Sequence, residues 1–139
     1  MSHEKIEKIV NDGLLLAVII RDSDWSKGLT FVSSENDFQQ VGMWNYDKGK
    51  VLEPHVHLLK PRMISRTQEV LFLKEGALRA SIFTEDEKFL KTIDLHKGDT
   101  MILLAGGHGY EILEDNTKVL EVKNGPYLGA IEDRKRIQR

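Results

Sequence analysis

Residues 49–76 read GKVLEPHVHLLKPRMISRTQEVLFLKEG, and this stretch decides how the rest of the chain is interpreted. It contains His55 and His57, followed by Glu69 at the head of an apolar run. His55 and His57 stand two residues apart, so on a strand they would point to the same face. A third histidine, His108, follows much later. Imidazole and carboxylate groups suit a divalent cation, so these four residues predict a metal site.

The composition is that of a folded protein with one domain. The chain has 139 residues, of which 40% are hydrophobic and 30% charged. This length allows one hydrophobic core but not two comfortable ones, so we expect a single domain over residues 1–139. The formal net charge is -2, whereas a surface that binds phosphate backbones is basic. We therefore expect no nucleic-acid partner.

Cysteine is absent, which excludes disulfides, thiolate metal sites and a cysteine nucleophile. The first residues, MSHEKIEK, lack the charged and then apolar layout of a signal peptide. The longest apolar run, Leu14–Ile20 (LLLAVII), is too short to cross a bilayer and predicts a buried strand. We expect a cytoplasmic protein with no membrane partner.

Alternating apolar residues and frequent turn residues predict an all-β fold, either a barrel or a sandwich. The predicted strands are Leu14–Ile20, Gly28–Ser33, Gln40–Tyr46, Leu52–Leu58, Glu69–Lys74, Leu78–Phe83, Phe89–Asp94, Thr100–Ala105, Tyr110–Leu113 and Val119–Lys123. Pro61 and the polar residues around it predict a loop over residues 58–68. Helical spacing of apolar residues predicts a short helix over Lys5–Asn11, and the charged tail Glu132–Arg139 predicts another.

The region around the four candidate ligands resembles the cupin family. The first cupin motif is Gly, five residues, His-x-His, a gap, Glu, six residues and Gly. The corresponding residues here are Gly49, His55, His57, Glu69 and Gly76. In the second motif, Gly98-Asp99 forms the opening and Ala105-Gly106 lies in register ahead of His108.

The chain departs from the cupin pattern at two points. Eleven residues separate His57 from Glu69, where the family usually has three or four. Leu104 stands where the second motif usually has proline, and His108 comes one residue early. The resemblance covers about residues 40–123.

The resemblance implies a double-stranded β-helix, the cupin or jelly-roll barrel, which is usually dimeric. It implies His55, His57, Glu69 and His108 as ligands of a divalent metal, for which Fe, Mn, Ni, Cu and Zn all remain open. The chain is most similar to small stand-alone cupins associated with sugar or polysaccharide metabolism. We therefore expect a homodimer, formed through its N-terminal strands, that takes a small-molecule ligand.

Further candidate residues lie beside the expected metal site. Tyr110 stands two residues after His108, so both would face the same pocket. In metal-free sugar epimerases of the wider cupin group a His and a Tyr act as base and acid, and this resemblance makes Tyr110 a candidate catalytic residue. Lys60, Arg62 and Arg66 lie in the predicted loop, which has no acidic residue. These three cations predict binding of a carboxylate or phosphate on the ligand.

Three functions remain open from the sequence. The first is metal-dependent chemistry on a small molecule that is anionic or sugar-like, with the reaction type unresolved. The second is a binding module without catalysis. The third is a metal-free sugar-nucleotide isomerase or epimerase that uses His57 or His108 as base. Fold alone does not choose among them.

Overall fold

The computed structural model describes residues 6–138, which form ten strands, and every pair of neighbouring strands is antiparallel. The strands are β1 (Glu7–Asn11), β2 (Leu14–Ile20), β3 (Gly28–Phe31), β4 (Gly42–Asn45), β5 (Glu69–Glu75), β6 (Ala77–Phe83), β7 (Phe89–His96), β8 (Thr100–Leu103), β9 (Gly107–Ile112) and β10 (Lys118–Lys123). A 3₁₀ turn covers Asp22–Asp24, and a one-turn helix, α1, covers Ala130–Asp133. The predicted β-rich fold is confirmed.

The strands form three sheets. A five-stranded sheet has the order β1-β2-β8-β5-β10, a three-stranded sheet has the order β7-β6-β9, and β3 pairs with β4. Strands β9 and β10 follow each other in the chain but are outer strands of different sheets. The part of the chain described by the structure therefore forms separate sheets with open edges and no closed barrel. The jelly-roll barrel of the cupins stays a prediction.

Strand β2 of the five-stranded sheet is covered on both faces, which explains its unbroken apolar run. Ala17 and Ile19 belong to a core shared with the three-stranded sheet. Val18 and Ile20 belong to a second core on the opposite face, together with Met43 of β4. A strand between two apolar layers needs hydrophobic residues at consecutive positions and not only at alternate ones.

The face of β5 that meets the three-stranded sheet is fixed by its buried residues. Leu71 and Leu73 pack in the first core with Ala80 and Ile82 of β6. Successive side chains of a strand alternate between its two faces, so Glu69 shares the inward face with Leu71 and Leu73. This places a carboxylate at the rim of the core between the two sheets.

The helix predicted over Lys5–Asn11 is wrong. Lys5 lies outside the described residues, and Glu7–Asn11 forms β1, which pairs with β2. Asp12 (φ 49°) and Gly13 (φ 76°) form the two-residue turn between these strands. Two successive left-handed residues match the twist of a hairpin, and an Asp-Gly pair is typical of such turns. At the other end, one helical turn at Ala130–Asp133 replaces the helix predicted over the tail, whose last residue is not described.

The strand predicted over Leu52–Leu58 is also wrong. Residues 46–68, all of which the structure describes, contain no helix and no strand. Residues 47–65 are exposed throughout. The loop predicted over residues 58–68 agrees with this segment, which extends further toward the N terminus than expected. A strand needs a neighbour to satisfy its backbone hydrogen bonds, and residues 52–58 lie beside none of the described strands.

Candidate functional site

Glu69 and His108 meet at the rim of the core. Glu69 pairs with Leu103 of β8, and His108 pairs with the buried Ile82 of β6, so both side chains face the space between the sheets. His108 Nε2 lies 2.8 Å from Glu69 Oε2. The Glu69 side chain is 8% exposed and the His108 side chain 31%. The carboxylate therefore sits below the imidazole, which is open to solvent on one side.

The pKa of Glu69 is set by opposing effects. Burial raises it, but the hydrogen bond with His108, together with the charges of His108 and Lys123, holds the pKa of this carboxyl below its ordinary value. Lys123 lies directly opposite Glu69 in the pairing of β10 with β5. The site thus keeps an ionised carboxylate in a largely buried position.

Tyr110 stands beside His108 on the same face of β9. It pairs with the buried Ala80, and the centroids of the Tyr110 and His108 rings are 5.3 Å apart. Partial burial raises the pKa of Tyr110, and the negative charges of Glu69 and Glu121 raise it further. The phenol therefore stays protonated over the physiological range and can donate a hydrogen bond or a proton.

The opposite wall of the site comes from β10. Glu121 pairs with Leu71 and Val119 with Leu73, so both face the same space as Glu69. A cavity of about 300 Å³ lies between the walls; its lining residues are Leu71, Leu78, Tyr110, Ile112, Val119 and Glu121. An apolar floor with a few polar groups at the rim is typical of small-molecule sites. We call this space, with Glu69 and His108 at its end, the β9–β10 cleft.

Glu121 and Lys123 were missed by sequence reasoning. Their parity in β10 was readable, since Val119, Glu121 and Lys123 alternate with Leu120 and Val122. The register of β10 against β5 was not readable, because the two strands are separated by four others in the chain. Only that register brings Lys123 opposite Glu69.

His55 and His57 lie outside the cleft, contrary to the expected geometry. Both are exposed, their ring centroids are 5.0 Å apart, and His55 Nδ1 lies 3.2 Å from the Glu53 carbonyl oxygen. Within residues 6–138 no group of three or more metal-binding side chains is brought together. Within one chain, two of the four predicted ligands, Glu69 and His108, are in contact, and the other two, His55 and His57, lie elsewhere. Glu69 and His108 alone supply two of the four ligands that the sequence predicts, and His55 and His57 are needed to complete the set.

The three loop cations do not form one cluster. Lys60 and Arg62 lie within the exposed residues 47–65. Arg66 Nη1 instead bonds Glu85, whose other oxygen accepts the backbone N–H of Gly106 at 3.1 Å. Arg66 thus ties the segment to the turn between β6 and β7. Of the three predicted anion-binding residues, Lys60 and Arg62 have no such acidic partner among the described residues.

A second, wider depression, with a volume of about 850 Å³, is lined by residues of the 3₁₀ turn and of β6 and β7. Its two arginines are already paired. Arg21 Nη1 lies 2.9 Å from Asp99, and Arg79 Nε lies 2.7 Å from Asp94. Asp99 also accepts the backbone N–H groups of Asp22 and His96. These contacts hold strand ends together and leave little free charge for a ligand.

Comparison of the chain with protein-family models, with curated proteins and with solved structures gave no match. Among the described residues, no helix has the length and apolar character needed to cross a membrane. The candidate site therefore rests on the geometry of the β9–β10 cleft.

Proposed function

We propose that the protein acts on a small polar molecule, sugar-like or anionic, bound in the β9–β10 cleft. The observation that supports this is the Glu69–His108 contact beside a cavity that carries Tyr110 on its wall. Carboxylate, imidazole and protonated phenol together can accept a proton, donate a proton and orient hydroxyl groups. The absence of cysteine is consistent with work in the cytoplasm.

A divalent metal is the first candidate for completing this site. Glu69 and His108 supply a carboxylate and an imidazole at one point, and Fe, Mn, Ni, Cu or Zn would suit them. The proposal requires His55 and His57 to join the cleft, as in the cupin pattern that the sequence resembles. When bound, such an ion would polarise an oxygen of the small molecule.

Elemental analysis of the purified protein tests the metal. We expect a divalent ion in the wild type and its loss in Glu69→Gln/His108→Ala and in His55→Ala/His57→Ala. His96→Ala is the matched control, because His96 is the last residue of β7, which is separated from β9 by β6. Equal metal content in all four proteins would remove the metal from the proposal.

Acid–base chemistry without a metal is the second candidate. It is favoured by the position of Tyr110 on the same face as His108 and by the raised pKa of its phenol. Isomerisation or epimerisation of a sugar nucleotide would use His108 as base, oriented by Glu69, and Tyr110 as acid. Turnover that survives removal of metal by a chelator and is lost in Tyr110→Phe would support it. Ligand binding without turnover would instead identify a binding module.

A further inference from the structure

The exposed segment that carries His55 and His57 behaves as a separate arm of the molecule. We define the arm as residues 48–65, all of which are exposed. Its apolar side chains are uncovered to an unusual extent; the exposed fractions are Val51 71%, Leu52 45%, Val56 85%, Leu58 73%, Leu59 99%, Met63 91% and Ile64 43%. A soluble chain rarely leaves a contiguous apolar segment in water unless the segment binds a partner.

The arm is anchored at both ends by its own chain. Before it, Asp47 pairs with Lys27, and after it, Arg66 pairs with Glu85. Among the described residues of the arm, the only side-chain hydrogen bond is the short-range contact of His55 with the Glu53 carbonyl oxygen. The arm thus projects from the fold between two fixed points.

The β9–β10 cleft has two uncovered edges. Strand β9 pairs with β6 alone and β10 with β5 alone in the part of the chain that the structure describes. Unpaired edges expose backbone N–H and C=O groups that can accept a further strand. Apolar side chains beside these edges are also open, with Ile112 58% and Leu120 61% exposed.

The arm and the cleft have opposite charge. The arm carries Lys48, Lys50, Lys60 and Arg62 against one acidic residue, Glu53. The segment of residues 107–123, which contains β9 and β10, carries four acidic residues against two lysines. The acidic residues are Glu111, Glu114, Asp115 and Glu121. Opposite charge on two surfaces speeds their encounter and fixes their register.

We infer that two copies of this chain exchange arms, and that residues 51–58 of each copy add as a strand to the free edge of β9 in the other. In each copy the arm projects and the edge of β9 is uncovered. Reciprocal exchange of arms about one two-fold axis covers the β9 edges of both copies. The completion of the site by the second copy rests on the proposed function, whereas the pairing of the arm with β9 does not.

The sequence of the arm suits an added edge strand. Pro54 has no N–H, and in a strand its backbone nitrogen points to the opposite edge from the backbone N–H of His55. When residues 53, 55 and 57 bond to β9, Pro54 faces solvent, which is where edge strands tolerate proline. His55 and His57 then share one face, and turned inward they join His108 and Glu69 of the other copy. Each site is thus incomplete without the second copy.

Engineered cysteines test the contact directly, because the wild-type chain has none. Val56 faces outward when His55 and His57 face inward, so it would lie beside the outward residues Gly109 and Glu111 of β9. A Cβ at Gly109 meets nothing within 4 Å, so cysteine is accommodated there. One preparation carries Val56→Cys, and a second of different size carries Gly109→Cys or Glu111→Cys. We expect a disulfide-linked dimer of the two after mild oxidation.

The matched control replaces the second preparation with Thr92→Cys. Thr92 lies in the same cross-strand row as Gly109, since both pair with Ser81, but on the far strand β7. It should give no linked dimer with Val56→Cys. Putting Val56→Cys and Gly109→Cys, or Val56→Cys and Glu111→Cys, in one chain separates the two topologies. An internally linked monomer would show that the arm folds onto its own copy and would overturn the exchange, as would failure to cross-link at either position.

Mixing of complementary variants connects the exchange to the metal. His55→Ala/His57→Ala removes only the candidate ligands of the arm, and Glu69→Gln/His108→Ala removes only those of the cleft. Exchange predicts that mixing the two, after brief unfolding and refolding, restores metal binding to one site in each mixed dimer. Cross-linking between copies without any metal in the wild type would retain the exchange and reject the metal. Metal in the wild type, with no recovery of metal binding on mixing, would retain the metal and reject the exchange.

Discussion

The side-chain oxygen of Asn124 accepts a hydrogen bond from the backbone N–H of Gln68 at 2.8 Å, and this contact fixes the start of β5 next to the end of β10. Asn124 follows β10, and Gln68 precedes Glu69. The position of the Glu69 carboxylate is therefore set in part by a hydrogen bond between two residues that lie outside the cleft.

Gln68 also joins the β3–β4 hairpin to the central sheet. Its side-chain oxygen accepts the backbone N–H groups of Phe38 (2.7 Å) and Gln39 (2.9 Å). Gln68→Ala leaves both donors without this acceptor, so we expect the free energy of unfolding to fall by about 1–3 kcal/mol. Urea unfolding measures it. Gln68→Glu, which keeps an acceptor, should cost less; an equal loss in both variants would contradict this role.

A buried carboxylate at Asp99 organises the end of β7 and the start of β8. Its oxygens accept from Arg21 Nη1, the Asp22 N–H and the His96 N–H, at 2.9, 3.0 and 2.8 Å. Asp99→Ala removes all three acceptors and leaves a half-buried guanidinium, so we expect a loss of about 2–4 kcal/mol in unfolding free energy.

The control for Asp99 is Asp47→Asn. Asp47 pairs with Lys27 at the surface, where both side chains are well exposed. Exposed pairs contribute little, so this variant should change the unfolding free energy by less than about 1 kcal/mol. Similar losses for Asp99→Ala and Asp47→Asn would show that the Asp99 contacts do not stabilise the fold.

Gly76 is required by both its backbone and its surroundings. It turns β5 into β6 with φ of 85°, and an added Cβ would lie 2.7 Å from the Thr117 Cα. Gly76→Ala should therefore destabilise by more than the roughly 1–2 kcal/mol that a left-handed residue alone costs. Gly49→Ala isolates that backbone cost, since Gly49 has φ of 95° with nothing within 4 Å of its Cβ position. Thermal unfolding should give the larger loss for Gly76→Ala.

Local sequence pattern identified most strands but not the partners of those strands. Leu14–Ile20 was predicted with the observed bounds, because a run buried on both faces is apolar at every position. The segment Lys5–Asn11 was misread because its three apolar residues, Ile6, Ile9 and Val10, fit a helix as well as a strand in so short a run. The Asp12-Gly13 pair that follows it indicates a hairpin and could have corrected the prediction.

The sequence predicted only part of the candidate site, because local pattern identifies a strand but not the strands that pair with it. Glu69 and His108 lie in strands whose parity turns them to one side, and the structure unites them. His55 and His57 lie in a segment with local strand character, but strand formation depends on a distant neighbour that no local pattern specifies. The cleft residues Glu121 and Lys123 were missed because their positions follow from the β10–β5 register.

The pH dependence of stability should report the Glu69 contact. The pKa of Glu69 in the folded protein lies below its ordinary value of 4.5, so the folded state favours the ionised carboxylate. The resulting stability is present above that ordinary value and is lost as pH falls through the lower, folded-state pKa. Metal-free wild type should therefore lose more unfolding free energy than Glu69→Gln between neutral pH and pH values below about 4.5. Parallel pH profiles from urea unfolding would contradict the assignment.

Tyr110 gives a spectroscopic test of the cleft at alkaline pH. The chain has three tyrosines, and partial burial with the charges of Glu69 and Glu121 raises the pKa of Tyr110 above its ordinary value of 10.0. In the folded state, wild type and Tyr110→Phe should gain the same phenolate absorbance near pH 10, because Tyr110 stays protonated there. After unfolding in urea at the same pH, the wild type should exceed Tyr110→Phe by about half a phenolate, since water then surrounds the ring and its pKa returns to the ordinary range near 10. The same difference in the folded proteins would show that Tyr110 is not held protonated, and would remove the acid from the proposed acid–base chemistry.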